Sequence, residues 1–432
     1  MRYTAIAFLI LLSLAFARAA DQGQYTGEAL DLEQCFSSAF KRSETIAISE
    51  ESIVQAEEQF KQAWRSIPPK LSLHGQEYWQ DTSHLSSPLG STLIISPSPS
   101  GSIRLNLAPL TFYREFAAIR SASSFIQQSE YAKKRAEQNL YLSVAQSFWS
   151  VVQIEDQIKI TEAQRSLTMD LIKELQDRER VGRSREAEVV AAQSQLAIVE
   201  ASFEGLKRAR VVARELLAFI TGLEKDVPLK DTAALPPPPK DLNSYLEASR
   251  KRLDILAQQD AVDIARAGVR VARSGHFPTW SLQANYYDHT RKGYQNDITW
   301  DVLAQVDVPI FSWGQVHSSV KQAQSLHRAA ELTLQRLQRQ AETDVKSAWE
   351  NLRASIAMFD LYDKSAALAE RNYTLQTRDY KRGLVSNLEV LQALNTLYGA
   401  RLTRDQGQYN VKLNDIQLKI AVGDIQMAEE KE

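Results

Sequence analysis

From Phe112 to Val181 the chain contains neither proline nor glycine, and an unbroken helix of about seventy residues is near 100 Å long at about 1.5 Å per residue. No single globular core can surround such a rod, so it must pair with other helices along its length. Leu140, Val144, Phe148, Val151 and Ile158 supply a narrow apolar stripe for that, and charges such as Lys173, Glu174, Asp177 and Arg178 fill the remaining faces. A second stretch, beyond Gly314, is helical by its period for about seventy residues. Within it Leu352, Phe359, Ala366, Tyr373 and Tyr380 recur at steps of seven, which predicts coiled-coil-like pairing of helices.

Each rod is entered from a strand. Gln305-Val306-Asp307-Val308-Pro309-Ile310-Phe311 alternates apolar and polar residues up to its proline, and Leu105-Asn106-Leu107-Ala108-Pro109-Leu110 does so earlier in the chain. Three landmarks repeat in order about 200 positions apart: Pro69-Lys70-Leu71-Ser72-Leu73 with Pro278-Thr279-Trp280-Ser281-Leu282, Pro109 with Pro309, and Gly182 with Gly383. Pro236-Pro237-Pro238-Pro239, which suits neither helix nor sheet interior, separates the copies. The expected organisation is an export signal over 1–19, a first repeat over 20–235 and a second over 236–432. Each repeat reads as helix, strand, loop, strand, long helix, glycine turn and returning helix. The first leading helix is expected over 32–66, and the strands over 71–79, 103–107, 280–287 and 300–308.

The export signal rests on Arg2, an apolar run from Ala5 to Phe16, and Ala17-Arg18-Ala19, with cleavage expected after Ala19. Elsewhere no run is apolar and long enough for a membrane helix. With 51 basic and 53 acidic residues the charge is close to balanced, which argues against nucleic acid as a partner. The single cysteine, Cys35, excludes an intrachain disulfide and a thiol metal cluster, and the six histidines are scattered. Neither a nucleophile–base pair nor a phosphate loop is evident, so the chain reads as a non-enzyme without metal or cofactor.

On the strands Leu71, Leu73, Ile103, Leu105, Leu107, Trp280, Leu282, Ala284, Trp300, Val302, Ala304 and Val306 share one face; Ser72, His74, Arg104, Asn106, Ser281, Gln283, Asn285, Asp301, Gln305 and Asp307 share the other. Such alternation suits a membrane barrel with lipid outside and water within, and equally an antiparallel sheet lying on a soluble core. Aromatics at strand ends, Trp79, Trp280, Tyr286 and Trp300, favour the membrane. Four strands cannot close a barrel and lipid does not tolerate an open sheet edge, so a spanning sheet of this chain has to oligomerise. Three protomers and twelve strands is one closure.

The order of these elements resembles the TolC-like outer-membrane efflux proteins over nearly the whole mature chain. The signal, the Leu32-Glu33-Gln34 helix start, Val308-Pro309-Ile310-Phe311, and the tip run from Tyr380-Lys381-Arg382-Gly383 to Val390-Leu391 carry the likeness. The resemblance implies a mainly α protein with a membrane β-barrel. Four strands per protomer would enter a 12-stranded β-barrel in the outer membrane of a Gram-negative bacterium, and long coiled-coil hairpins would form a trimeric α-barrel in the periplasm. Its partners would be two further copies, outer-membrane lipid, a periplasmic adaptor and an inner-membrane pump, and its role that of a passive efflux or secretion duct. Glu389 and Glu188 match the family's acidic entrance, Gln392 stands where a second acid is usual, and Tyr380 and Arg382 match latch positions between hairpins. The tips Gly182-Arg183-Ser184 and Gly383-Leu384-Val385-Ser386 would meet the adaptor. Arg183 replaces an apolar residue, and Val385 stands where the family can carry an arginine. The competing reading is a soluble periplasmic coiled-coil adaptor or scaffold, and for the two acids a plain role at a helix N-terminus.

Overall fold

The computed structural model describes residues 29–76, 100–289 and 299–424; the expected export signal, Trp79 and most of both strand-connecting loops lie outside them. The chain opens with α1, Leu32–Arg42, and α2, Glu44–Arg65. The sequence reading takes these as one helix. Ser43 divides them, because its extended backbone ends α1 while its hydroxyl accepts the N–H of Ile46 at 3.4 Å and so caps α2. Beyond Pro68-Pro69 come β1, Lys70–Gln76, and β2, Ser100–Leu110, then α3, Tyr113–Arg180, and the returning α4, Glu186–Thr221. The proline-rich connector leads to α5, Leu242–Ser249, and α6, Leu253–Arg273. After a short 3-10 turn follow β3, Thr279–His289, β4, Trp300–Asp307, α7, Gln315–Lys381, and α8, Asn387–Val422.

The four strands form one antiparallel sheet in the order β1-β2-β3-β4. Leu71 lies opposite Leu105, Leu105 opposite Ala284, and Ala284 opposite Val302, so one apolar face is continuous across all four strands. The two junctions differ. Pro309 lies beyond the end of β4, whereas Pro109 sits inside β2 where the register slips between Leu107 and Leu110. A proline has no N–H to give the ladder, so β2 passes it as an irregularity and pairs once more, Leu110 with Trp280.

α3, with 68 residues, is the central rod. In the half nearer the sheet it packs against α2 and α6, and α6 against α7; in the half nearer the turns it packs against α4 and α8, and α8 against α7. Each half is thus a row of helices with α7 at one edge and α2 or α4 at the other. Among the described residues, many of the buried apolar side chains gather in three clusters along this row. The middle one joins Cys35 and Ala39 of α1, Val144, Phe148 and Val151 of α3, Leu217 of α4, and Ile416 and Ile420 of α8. Another packs Val345 and Leu352 of α7 on Val411 and Leu418 of α8. The third lies at the turns. The expected heptad stripes therefore supply the packing, with Val144, Phe148, Val151 and Leu352 almost fully buried.

Candidate functional site

The sheet is inverted relative to one that rests on a soluble core. Leu71, Leu73, Ile103, Leu105, Trp280, Tyr286, Trp300 and Val302 are all exposed, Leu73 by 83%. The opposite face is polar and internally bonded, with Leu303 its one large apolar exception among the described strand residues. Arg104 Nε donates to Asn285 Oδ1 at 2.9 Å, Asn285 Nδ2 to Asp301 Oδ1 at 2.7 Å, and the Tyr287 hydroxyl to Asp301 Oδ2 at 2.7 Å. Asn285 and Ser102 are buried on that face. Tyr286 and Trp300 are register partners at one end of the apolar band, and Trp280 lies at the other. An exposed apolar band between aromatic ends, backed by a connected polar face, fits lipid on one side and water on the other. Among the described residues no helix is long and apolar enough to cross a membrane.

Large apolar residues are also exposed on the helices at the edges of the row: Ile48 and Trp64 on α2, Ile198, Val212 and Leu216 on α4, and Leu326, Leu361 and Leu368 on α7. An apolar edge of this length in water calls for a partner.

At the far end both rods turn on a glycine in the left-handed region, Gly182 at φ 67° and Gly383 at φ 73°. The two turns share one hydrogen-bond pattern: Arg183 N–H donates to Arg178 O at 2.8 Å, and Leu384 N–H to Asp379 O at 3.0 Å. An L side chain at either glycine would cost about 1–2 kcal/mol. Beneath the turns Ile172 and Leu175 of α3, Val189 of α4, Tyr380 of α7 and Val390 of α8 form one apolar cluster, so all four tip helices meet there.

Tyr380 is buried in this cluster and the Arg178 guanidinium lies over its ring, 4.5 Å from the centroid. Arg178 also pairs with Glu174 at 2.6 Å. Burial pushes the Tyr380 hydroxyl pKa up, Arg178 offsetting part of this, so the ring stays neutral at physiological pH. Tyr380 therefore touches the other hairpin of its own chain through Arg178, which by sequence alone is one of the charges on the outer faces of the rod. The signal available was the spacing, since Arg178 precedes Gly182 as Asp379 precedes Gly383.

The two candidate entrance acids have different surroundings. Glu389 is exposed in the first turn of α8, where Oε2 accepts the Ser386 N–H at 2.6 Å and its hydroxyl at 3.0 Å. No basic side chain among the described residues pairs with it. Glu188 accepts from the Ser184 hydroxyl at 2.9 Å and forms an ion pair with Arg185 at 3.2 Å. Gln392 is exposed one turn beyond Glu389, and Arg382 is an exposed residue capping α7. Of the tip residues Leu384 is 70% exposed, Gly182, Arg183 and Gly383 are exposed, Ser184 and Val385 are half-buried, and the polar groups of Ser386 turn back to Glu389. Among the described residues no group of histidine, cysteine or acidic side chains is placed to hold a metal ion.

Comparison with known proteins identifies a matching family and a matching fold. The sequence profile of outer membrane efflux proteins matches residues 36–223 and 245–424. Outer membrane protein TolC of Escherichia coli strain K12 is 27% identical over 313 residues, an alignment covering 66% of this chain and 62% of the relative, so about three-fifths of that protein's length is spanned. A crystal structure of CusC superposes with a TM-score of 0.80 at 18% identity, covering 93% of this chain and 95% of that one. The outer membrane protein VceC of Vibrio cholerae does so with a TM-score of 0.78 at 19% identity, covering 91% and 96%.

Proposed function

Because the chain belongs to the outer membrane efflux protein family, we propose that three copies form a passive, non-enzymatic export duct of a tripartite efflux or type I secretion system. Each copy supplies four strands to a 12-stranded barrel in the outer membrane and two hairpins to a helical tube in the periplasm. The observation that carries this reading is the inverted sheet, with its exposed apolar band backed by a bonded polar face. Closure by three copies also pairs the two free sheet edges and covers the apolar edges of the helical row.

At the periplasmic end three copies of Glu389 form a carboxylate ring that attracts cations and resists anions. Glu188, already paired with Arg185, contributes less field. Gln392 sets a neutral ring one turn on, and the contact of Tyr380 with Arg178 holds the two hairpins of each copy together at the narrow end. Gly383-Leu384-Val385 presents an apolar tip to a periplasmic adaptor that couples the duct to an inner-membrane pump, and Gly182-Arg183-Ser184 presents a cationic one. The spans 20–235 and 236–432 are read as two copies of one ancestral unit, which agrees with a family match that falls in two stretches.

Fractionation of cells followed by reconstitution tests this reading. The expected result is recovery in the outer membrane, release only by detergent, and discrete cation-preferring conductance in planar bilayers. Recovery in the soluble periplasmic fraction would leave the protein as a coiled-coil adaptor or scaffold and overturn it.

A further inference from the structure

The seam between the two hairpins combines apolar packing, as of Val151 with Ile416, with buried polar groups. Inside the second hairpin α7 and α8 pack through Val345, Leu352, Val411 and Leu418. Between its apolar clusters the α3–α8 seam is cross-linked by polar groups: Gln164 Nε2 donates to Asn395 Oδ1 at 3.2 Å, and the Tyr409 hydroxyl to Asp156 Oδ2 at 2.7 Å. Thr161 and Thr168, one turn either side of Gln164, are buried. In this seam, one turn before Tyr409, lies Asp405 of α8. It is 8% exposed, and its Oδ2 is buried with no hydrogen-bond donor.

The neighbours of Asp405 leave its charge poorly served. Asp156 of α3 is a second carboxylate, and its donors are spent on itself: Lys159 reaches Oδ1 at 2.8 Å and Tyr409 reaches Oδ2. On α8 the Arg404 guanidinium is drawn toward Asp363 of α7, 3.8 Å away, and α7 otherwise presents Tyr362 beside Gly407. Arg214 of α4 is committed to Glu155 of α3. An ionised carboxylate that is buried, lacks a donor and faces a like charge is costly, and a bound proton removes the cost. We propose that Asp405 is a proton-operated latch between the two hairpins: with a proton it lets α8 close on α3, and without one it loosens that seam. This goes beyond the duct reading and rests on it for its consequence, which is that acidification favours the closed wall.

The direction follows from the two environments. Burial, then the charge of Asp156, pushes the Asp405 carboxyl pKa up to about 6 in the closed seam, against partial compensation by Arg404 and Lys159. In a parted seam water reaches the group and it titrates near the ordinary aspartate value of about 3.9. The closed state therefore holds the proton at higher pH than the open one. Closure is favoured as pH falls through 6, and the opening equilibrium rises about tenfold from pH 5 to pH 7, then levels off.

Amide exchange over residues 390–409 of the full-length protein in lipid nanodiscs reads this opening, after correction for the chemical dependence of exchange on pH. Conductance is recorded in parallel. The expected result is about tenfold faster corrected exchange at pH 7 than at pH 5 in the unaltered protein. In Asp405→Asn, which cannot ionise, exchange should be slow and flat across the range, and in Asp156→Asn the midpoint should move to lower pH. Exchange independent of pH in the unaltered protein, or an unchanged profile in Asp405→Asn, overturns the latch. Should one variant fail to assemble, the other and the unaltered profile still decide. Absence of conductance with the exchange profile intact would count against the duct and not against the seam.

Discussion

Leu105 and Asn106 are adjacent on β2 and point to opposite faces of the sheet, so one positive charge placed on each in turn separates a lipid-facing band from a solvated one. Leu105 is 40% exposed and lies between Leu71 and Ala284; Asn106 lies between Lys70 and Gln283. Ala284 is four residues from Trp280 and two from Tyr286, which at about 3.4 Å per residue places this level roughly 14 Å from one aromatic end and roughly 7 Å from the other. An arginine on the lipid face costs about 2–4 kcal/mol at the bilayer midplane and falls off toward the interfaces, so about 2 kcal/mol per protomer is expected for Leu105→Arg. That is about a 30-fold loss in the folding equilibrium of each protomer. Asn106→Arg, facing water, should stay within about 0.5 kcal/mol. Urea titration of folding into phosphatidylcholine vesicles measures both. If Leu105→Arg is harmless, as an arginine would be on a half-exposed surface leucine in water, or if the two variants are equally destabilised, the apolar face does not meet lipid and the barrel is wrong.

Glu389→Gln removes a charge while keeping a side chain able to accept the Ser386 N–H. Single-channel conductance in planar bilayers should rise or change in cation preference, with weaker block by divalent cations; unchanged conductance and block would remove Glu389 from the entrance. Tyr380→Ala should loosen the tips by about 3 kcal/mol through loss of a buried ring, whereas Arg178→Ala should cost about 1 kcal/mol and raise open probability without melting the cluster. Equal conductance in Arg178→Ala and the unaltered protein would confine that contact to packing. Gly383→Ala, at φ 73°, should cost about 1 kcal/mol, seen as faster proteolysis at the second tip, and Gly182→Ala should act likewise at the first because both turns close with the same bond pattern.

The parts of this structure that depend on period and punctuation could be read directly from the chain. The rods follow from the absence of Gly and Pro between residues 112 and 181, the turns from Gly182 and Gly383, and the faces of the sheet from alternation that the register now shows continuing from strand to strand. What periodicity could not decide was whether the apolar face of the sheet is covered, since both readings give the same alternation; the exposure of Leu71 and Leu73 shows that nothing among the described residues lies over it. The break at Ser43 was hidden because a capping serine inside an otherwise helical run is a weak signal beside a proline. Asp405 and its neighbour Asp156 were illegible for a stronger reason. They lie on helices about 250 residues apart, and nothing in either local sequence states that α3 packs on α8.

The two hairpins also show why a repeated plan does not give repeated surfaces. Both returning helices span 36 residues, α4 beginning with Glu186 and α8 with Asn387, and both end at a left-handed glycine. Yet the outward side of α4 carries Val190, Ile198, Val212, Leu216 and Phe219, all more than half exposed. The exposed line along α8 runs Glu389, Gln392, Thr396, Gly399, Thr403, Gln406 and Asn410 at alternating steps of three and four, without one large apolar residue. An apolar stripe on a helix in water demands cover and a polar one does not. α4 lies at the edge of the helical row, opposite α7 with its exposed Leu361 and Leu368, so the row carries an apolar edge on either side. α8 lies inside the row, and its polar line is left to water. The first hairpin thus carries an exposed apolar surface on its returning helix, while the second carries an exposed polar one. In the proposed duct, that division favours Glu389, which lies on the polar line, over Glu188, whose charge is already met by Arg185.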